Sequence, residues 1–257
     1  MGGSHILVLG GTGPAGICLL RELLHRGHPT IAYARNPAKI PDDLSSNPLL
    51  QVIKGDMVDL PKLSSAIAQS SAIISMLGPN SLRMSDPRQF ADFYSTGIFP
   101  LMREHSVSRI LAMGTVSISD PQDKTSWIRL FLVLLVRVVA GMAYKNILNV
   151  ANVFETEATG LDWTVYRIAG IPGGCDEASW RKDRTDGETF VGWVAHNGWS
   201  SRQKRAALTR WLVDAVEGGA DEWIGMMPAF NLISGRFPNF QLDLRIPWFP
   251  DVLATPI

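Results

Sequence analysis

Residues 6–20, ILVLGGTGPAGICLL, carry an apolar strand into a glycine-rich turn and on into an apolar helix, and no other stretch restricts the fold so strongly. Gly10, Gly13 and Gly16 satisfy G-x-x-G-x-x-G, while Gly11, Gly13 and Gly16 satisfy the tighter G-x-G-x-x-G. In such a turn the first glycines let the backbone reverse sharply and bring its amides close to a pyrophosphate, and the last lets the helix pack closely on the strand. The phosphates then sit at the positive end of the helix dipole. A strand before and a helix after turn a bare glycine spacing into an expectation of nucleotide binding.

Short β-branched runs recur at HILVLG (5–10), TIAYAR (30–35), LLQVIKGD (49–56), SAIISMLG (71–78), SRILAMGT (108–115) and LDWTVYRI (161–168), with helical stretches between them. That alternation specifies right-handed βαβ crossovers and a parallel sheet covered on both faces. The expected class is therefore α/β, a doubly wound parallel (Rossmann) sheet. The 257 residues fit a single domain, with a nucleotide-binding core over 4–171 and a substrate-binding lobe over 172–257 packed on the sheet. In the lobe, RQKRAALTRWLVDAVEGG (202–219) reads as an amphipathic helix, and Trp193, Trp199, Met226, Met227 and Phe230 are expected to roof an apolar cleft.

Twenty-four basic side chains balance twenty-four acidic ones, which leaves no long-range field for nucleic acid and favours a small, roughly neutral ligand. Cys18 and Cys175 support neither a disulfide framework nor a thiolate metal site, and nothing at the N-terminus reads as a signal peptide, so a cytoplasmic setting is expected. His25 and His28 have a ligand-like spacing but no carboxylate or cysteine cluster beside them, and no metal is expected. The most apolar stretch, WIRLFLVLLVRVVAGMA (127–143), is interrupted by Arg129 and Arg137, which argues against a membrane span. It reads as a buried or dimer-facing helix, giving a possible homodimer, with a membrane-surface helix as the lesser alternative.

The end of the second strand lies beside the adenosine ribose in such folds, where an acidic residue would accept from the 2′-hydroxyl. Here YARNPAK places Arg35 there, with Lys39 four residues on. A guanidinium fork matches a 2′-phosphate, so NADP(H) is expected over NAD(H). Together with GGTGPAG, VIKGDMVD, SMLGP, ILAMGT and GLDWTVYRIAG, these residues make the chain resemble the atypical short-chain dehydrogenase/reductase superfamily, in its NmrA-like NAD(P)H-binding branch, over about residues 4–172. The resemblance implies that Gly10, Thr12, Gly13, Pro14, Ala15 and Gly16 hold the pyrophosphate, that Asp56 and Met57 bracket the adenine, and that Leu77 and Gly78 pass beside the adenosine ribose.

The catalytic pattern departs from that family. Its reductases use a tyrosine and a lysine four residues later, the lysine holding the nicotinamide ribose and lowering the tyrosine pKa. The residues four after Tyr33, Tyr94, Tyr144 and Tyr166 are Pro37, Ile98, Leu148 and Gly170, so the sequence contains no Tyr-x-x-x-Lys. MAYKNILNVANVFE (142–155) instead holds Tyr144 and Lys145 side by side, about 100° apart on a helix. Counting back from TGLDWTVYR places Lys145 nearest the family's tyrosine, where it also reaches the cofactor, and Asn149 nearest its lysine. Thr115, ahead of Ser117 in AMGTVSIS, takes the place of the family's carbonyl-orienting hydroxyl. Three readings follow: an NADP(H)-dependent oxidoreductase acting on a small, mostly apolar molecule of specialised metabolism, a redox-neutral cyclase or isomerase that keeps NADP(H) as part of its pocket, and an NADP(H)-sensing regulator.

Overall fold

In the computed structural model, which describes residues 4–79, 86–186 and 189–232, strand alternation sets the layers. β1 (His5–Leu9) sends Ile6 and Val8 into one core and Leu7 and Leu9 into another, as a strand covered on both faces must. With β2 (Thr30–Ala34), β3 (Leu50–Lys54), β4 (Ser70–Ser75), β5 (Arg109–Thr115), β6 (Asp162–Ile168), β7 (Thr189–Gly192) and β8 (Ala229–Leu232) it forms one sheet in the order β3-β2-β1-β4-β5-β6-β8-β7. The pairings are parallel except for antiparallel β7–β8. Strand order reverses between β1 and β4, the switch point at which doubly wound sheets open a crevice.

One face of the sheet packs on α1 (Pro14–His25) and α9 (Arg205–Val216), through Val8, Leu20, Ile74, Leu111, Leu208 and Leu212, and α8 (Glu177–Asp183) lies against those two helices. The other packs on α3 (Leu60–Ala68), on α4 (Gln89–Asp92) continued through a π-helical Phe93–Ile98 into α5 (Phe99–Glu104), and on α7 (Gly141–Glu157). The short α2 (Asp42–Ser45) leads into β3, and α6 (Trp127–Val139) joins α7 at Ala140.

All six expected strands are present, each trimmed at one or both ends. β7 and β8 fall where the sequence pattern had loosened, because four-residue strands are too short to display a period. Their addition corrects one member of the expected roof: Phe230 on β8 is fully buried, edge-on to Tyr166 and Trp211, and belongs to the core. The part of the tail after residue 232 lies outside the described residues. The expected helix over 127–143 breaks at Ala140, and the buried alternative fails for α6, none of whose residues is buried, while Ala140 and Ala143 beyond it are. Among the described residues no single helix is long and apolar enough to cross a membrane, and α6 with α7 bends by 116°.

Glu22 on α1 ties the helices of one layer together. Fully buried, it accepts from Arg26 Nε at 2.9 Å and from Arg184 Nη2 at 2.8 Å, while Arg26 reaches Asp214 on α9. Burial raises its pKa, but hydrogen bonds from Arg184 and Arg26 outweigh that and hold the carboxyl below its ordinary 4.5. The folded pKa being depressed, this stabilisation is present above the unfolded value and is lost as the pH falls through the folded one. Glu22→Gln takes the carboxylate from Arg184 while Arg26 keeps Asp214 and Glu217, and is expected to cost about 3 kcal/mol at pH 7. Urea unfolding at pH 7 and at acid pH should show the gap between wild type and variant closing as the pH drops below 4.5.

Candidate functional site

The three glycines of the first turn are glycine for three different reasons. Gly10 has φ +80°, and a Cβ there would lie 3.0 Å from the carbonyl carbon of Met76, the residue after β4. A Cβ on Gly16 would collide with the Gly10 carbonyl oxygen, so only glycine lets α1 pass this close to the turn. At Gly13, by contrast, a Cβ would meet nothing nearer than that same oxygen at 3.9 Å. The space over Gly13 is open, at the N-cap of a helix whose first residue is Pro14, with Thr12 and Ala15 half-buried beside it. That is the room a pyrophosphate requires against free amides.

Around this turn the carboxyl ends of β2, β3 and β4 bring the other expected contacts to one edge. Arg35 and Lys39 are exposed, and their side chains make no hydrogen bond or ion pair with a described residue. Lys54, exposed and in register with Ala34, adds a third cation that sequence reading missed because it belongs to a neighbouring strand. Asp56 accepts from the Val58 amide at 3.0 Å, a turn-closing bond, with its carboxylate still exposed next to half-buried Met57. The Tyr33 hydroxyl donates to the Asp56 carbonyl oxygen at 2.9 Å and fills the space a Gly55 side chain would need. Leu77 and Gly78 are half-buried at the end of β4. Tyr94 bonds Ser75 Oγ at 2.6 Å and Tyr166 donates to the Ser75 carbonyl oxygen at 2.9 Å. Burial raises both phenol pKa values, which suits them to fixing the strand end rather than to proton transfer.

α7 leads directly into the start of β6, so its first turns lie at the carboxyl edge of the sheet. Tyr144 there is half-buried, and the Lys145 side chain is exposed with no hydrogen bond to a described residue. Asn149, expected nearest the family's lysine position, donates to the Pro87 carbonyl oxygen at 2.9 Å, and fully buried Asn146 donates to that of Asp86 at 3.2 Å. Both asparagines are thus spent on holding the chain that returns from β4. Thr115, at the end of β5, accepts from the Ser117 amide at 3.2 Å, as a turn cap does.

Arg167 is the residue whose role the sequence reading missed. Fully buried on β6, it bonds Asp123 through both terminal nitrogens at 2.6 and 2.8 Å, donates to the carbonyl oxygens of Ile118 and Met227, and lies 5.8 Å from the Trp193 ring. Asp123 also accepts from the amides of Val194 and Asp120. Burial raises its pKa, but the Arg167 hydrogen bonds outweigh that and lower it. The available signal was an arginine inside an apolar strand, which demands an anion. Arg129 of α6 is similarly turned inward, to the carbonyl oxygens of Val116 and Ile118 and to Ser119 Oγ.

Two clefts of about 390 Å³ flank Trp193, one including Asp120, Glu155, Trp163 and Met226, the other Lys124, Phe190, His196 and Trp223. Neither is lined by Thr115, Tyr144 or Lys145; of the residues expected in the roof, Trp193 lines both and Met226 and Met227 line one. His28 bonds Glu217 at 2.7 Å, and His25 packs edge-on against Trp180. Burial pushes the Cys18 thiol up to about 12.

A family profile described as NAD(P)H-binding matches residues 10–216. The isoflavone reductase homolog IRL of Zea mays is 35% identical over 97 residues, which span 35% of this chain and 30% of the maize protein. Among solved structures, a short-chain dehydrogenase/reductase of Veillonella parvula in complex with NADP superposes with a TM-score of 0.69 at 14% identity, covering 92% of this chain and 99% of that one. The anaerobillin reductase ChuY of Escherichia coli O157:H7 gives 0.66 at 16% identity over 91% and 100% of the two chains. At these identities the structural likeness is one of fold. Two substitutions separate fold from binding at the turn. Gly13→Val is expected to keep the melting temperature within about 2 °C while abolishing nucleotide binding, whereas Gly16→Val should unfold the turn itself. Thermal melts and titration with NADPH distinguish them.

Proposed function

The chain belongs to the NAD(P)H-binding family, as an atypical short-chain dehydrogenase/reductase, and from that premise we propose that it is an NADP(H)-dependent oxidoreductase acting on a small, mostly apolar organic molecule of specialised metabolism. The observation that carries the NADP(H) reading is the free pair Arg35 and Lys39 at the end of β2, with Lys54 beside them. An uncommitted guanidinium fork and two ammonium groups offer charge-assisted bonds to a 2′-phosphate and no acceptor for a ribose hydroxyl. The open N-terminus of α1 takes the pyrophosphate, and Asp56 and Met57 flank the adenine.

When bound, NADPH supplies a hydride. The chain's own contribution is positional and electrostatic. Lys145, unpaired among the described residues, stabilises negative charge that develops on a substrate oxygen, and Tyr144 lines the same turn of α7. The Thr115 oxygen accepts the Ser117 amide and keeps its own proton to donate to that substrate oxygen. With no Tyr-x-x-x-Lys in the sequence, the proton source is this set rather than a tyrosine–lysine pair.

Incubating the purified protein with NADPH and candidate apolar carbonyl or enone compounds tests the reading. Loss of reduced-nicotinamide absorbance in step with product supports it, while product without such loss moves the chain to the redox-neutral cyclases and isomerases. NADPH is expected to bind at least about tenfold tighter than NADH, about 1.4 kcal/mol, and Arg35→Ala should erase that preference in titration calorimetry. Lys145→Met should lose about a hundredfold in turnover with nucleotide affinity unchanged within a few fold, and Tyr144→Phe far less. Steady-state kinetics of the two variants decide it.

A further inference from the structure

α6 is an anomaly in an otherwise well-covered fold. None of its 13 residues is buried. Trp127 is 82% exposed, Phe131 53%, Leu134 59% and Val138 75%, and their 4-3-4 spacing stacks them in one outward stripe. Ile128, Leu130 and Val139 are exposed at its flanks. The inward side is held by Arg129, whose guanidinium grips the loop after β5. The helix is therefore docked by its polar residue and presents its apolar side to the outside, the reverse of the usual arrangement for a surface helix.

Charge says what that side meets. From Lys124 to Phe154 the sequence contains no aspartate or glutamate, while Lys124, Arg129, Arg137 and Lys145 fall within it. Lys124 and Arg137 are exposed, one before α6 and one near its end. A second copy of the chain would offer Arg137 no carboxylate from this face. It would also gain little area, because a helix of 13 residues is about 20 Å long and covers well under the roughly 800 Å² per partner of a stable interface. The same 20 Å falls short of the roughly 30 Å hydrocarbon core, so the helix cannot span. An apolar stripe with tryptophan at one end, cations at its margins and no acid suits the plane of an anionic bilayer, where the ring and aliphatic groups enter the acyl boundary and the cations meet lipid phosphates.

We infer that α6 is a membrane-interface helix that seats this protein on an anionic lipid surface through Trp127, Phe131, Leu134 and Val138, with Lys124 and Arg137 on the headgroups. The seat is independent of the redox reading, since lipid binding needs no nucleotide. The test is co-sedimentation of the full chain with vesicles of phosphatidylcholine mixed with phosphatidylserine, against phosphatidylcholine alone. The wild type is expected to pellet with the anionic vesicles, less so at high salt. The double variant Phe131→Glu, Leu134→Glu should lose at least about tenfold in partitioning, and Lys124→Glu with Arg137→Glu should lose the preference for phosphatidylserine. Because all four side chains are exposed, the thermal melts and the NADPH titration should match wild type, which separates loss of the seat from loss of the fold or of the cofactor site. Failure of the wild type to pellet, or equal pelleting of wild type and the Phe131/Leu134 variant, overturns the proposal. So does a dimer in sedimentation velocity that those two substitutions dissociate, which would give the face to a second copy.

Discussion

The buried pair of Arg167 and Asp123 is the interaction on which the carboxyl side of this molecule depends. Arg167 carries its charge into the middle of the sheet, where leaving it unpaired would cost about 3–5 kcal/mol. Asp123 meets it only because the loop after β5 folds back over β6, and the same carboxylate accepts the Val194 amide from the segment after β7. One guanidinium also bonds Met227, just before β8. A single ion pair thus fixes the loop that begins at Thr115, the approach to β8 and, through Arg129 against Val116 and Ile118, the seating of α6. Its bonds join stretches up to 71 residues apart in sequence.

The opposite constraint operates at the nucleotide turn, where what matters is the absence of atoms. α1 can begin directly over the end of β1 only because Gly16 has no side chain to strike Gly10, and Gly10 fits against β4 only in a left-handed conformation. Close packing there leaves Gly13 open above the helix terminus. The site is made by packing beneath it, not by side chains aimed into it, which is why it is stable without a charged partner. The cations proposed to choose among nucleotides stand apart, Arg35 and Lys39 just past β2 and Lys54 at the end of β3, with side chains that make no bond to a described residue.

The catalytic edge shows the converse economy. At the positions that the count from TGLDWTVYR assigns to the family's tyrosine and lysine, this chain has an exposed Lys145 and an Asn149 tied to the loop returning from β4. The remaining tyrosines are committed elsewhere: Tyr33 beneath Gly55, Tyr94 and Tyr166 around Ser75. The chemistry proposed for this scaffold therefore rests on a lysine, a capped threonine and the shape of the crevice, and α6, packed against α7, turns an apolar face outward.

The sequence by itself determined the layers. Strand alternation, the glycine spacing and the basic end of β2 are local patterns, each set by the chemistry of a few consecutive residues, and the six parallel strands, the turn of Gly10, Gly13 and Gly16, and the exposed Arg35 and Lys39 could all be read from them. What only the tertiary structure decided are pairings between distant segments. Four-residue strands such as β7 and β8 carry no period and exist because an edge of β6 was open to them. Phe230 looked like a roof because an isolated aromatic in a proline-rich tail carries no sign of its neighbours, Tyr166 and Trp211. Arg129 and Arg137 read alike in an apolar run, yet one is spent on backbone oxygens and the other faces outward, a difference set by which side of α6 the loop after β5 happens to cover.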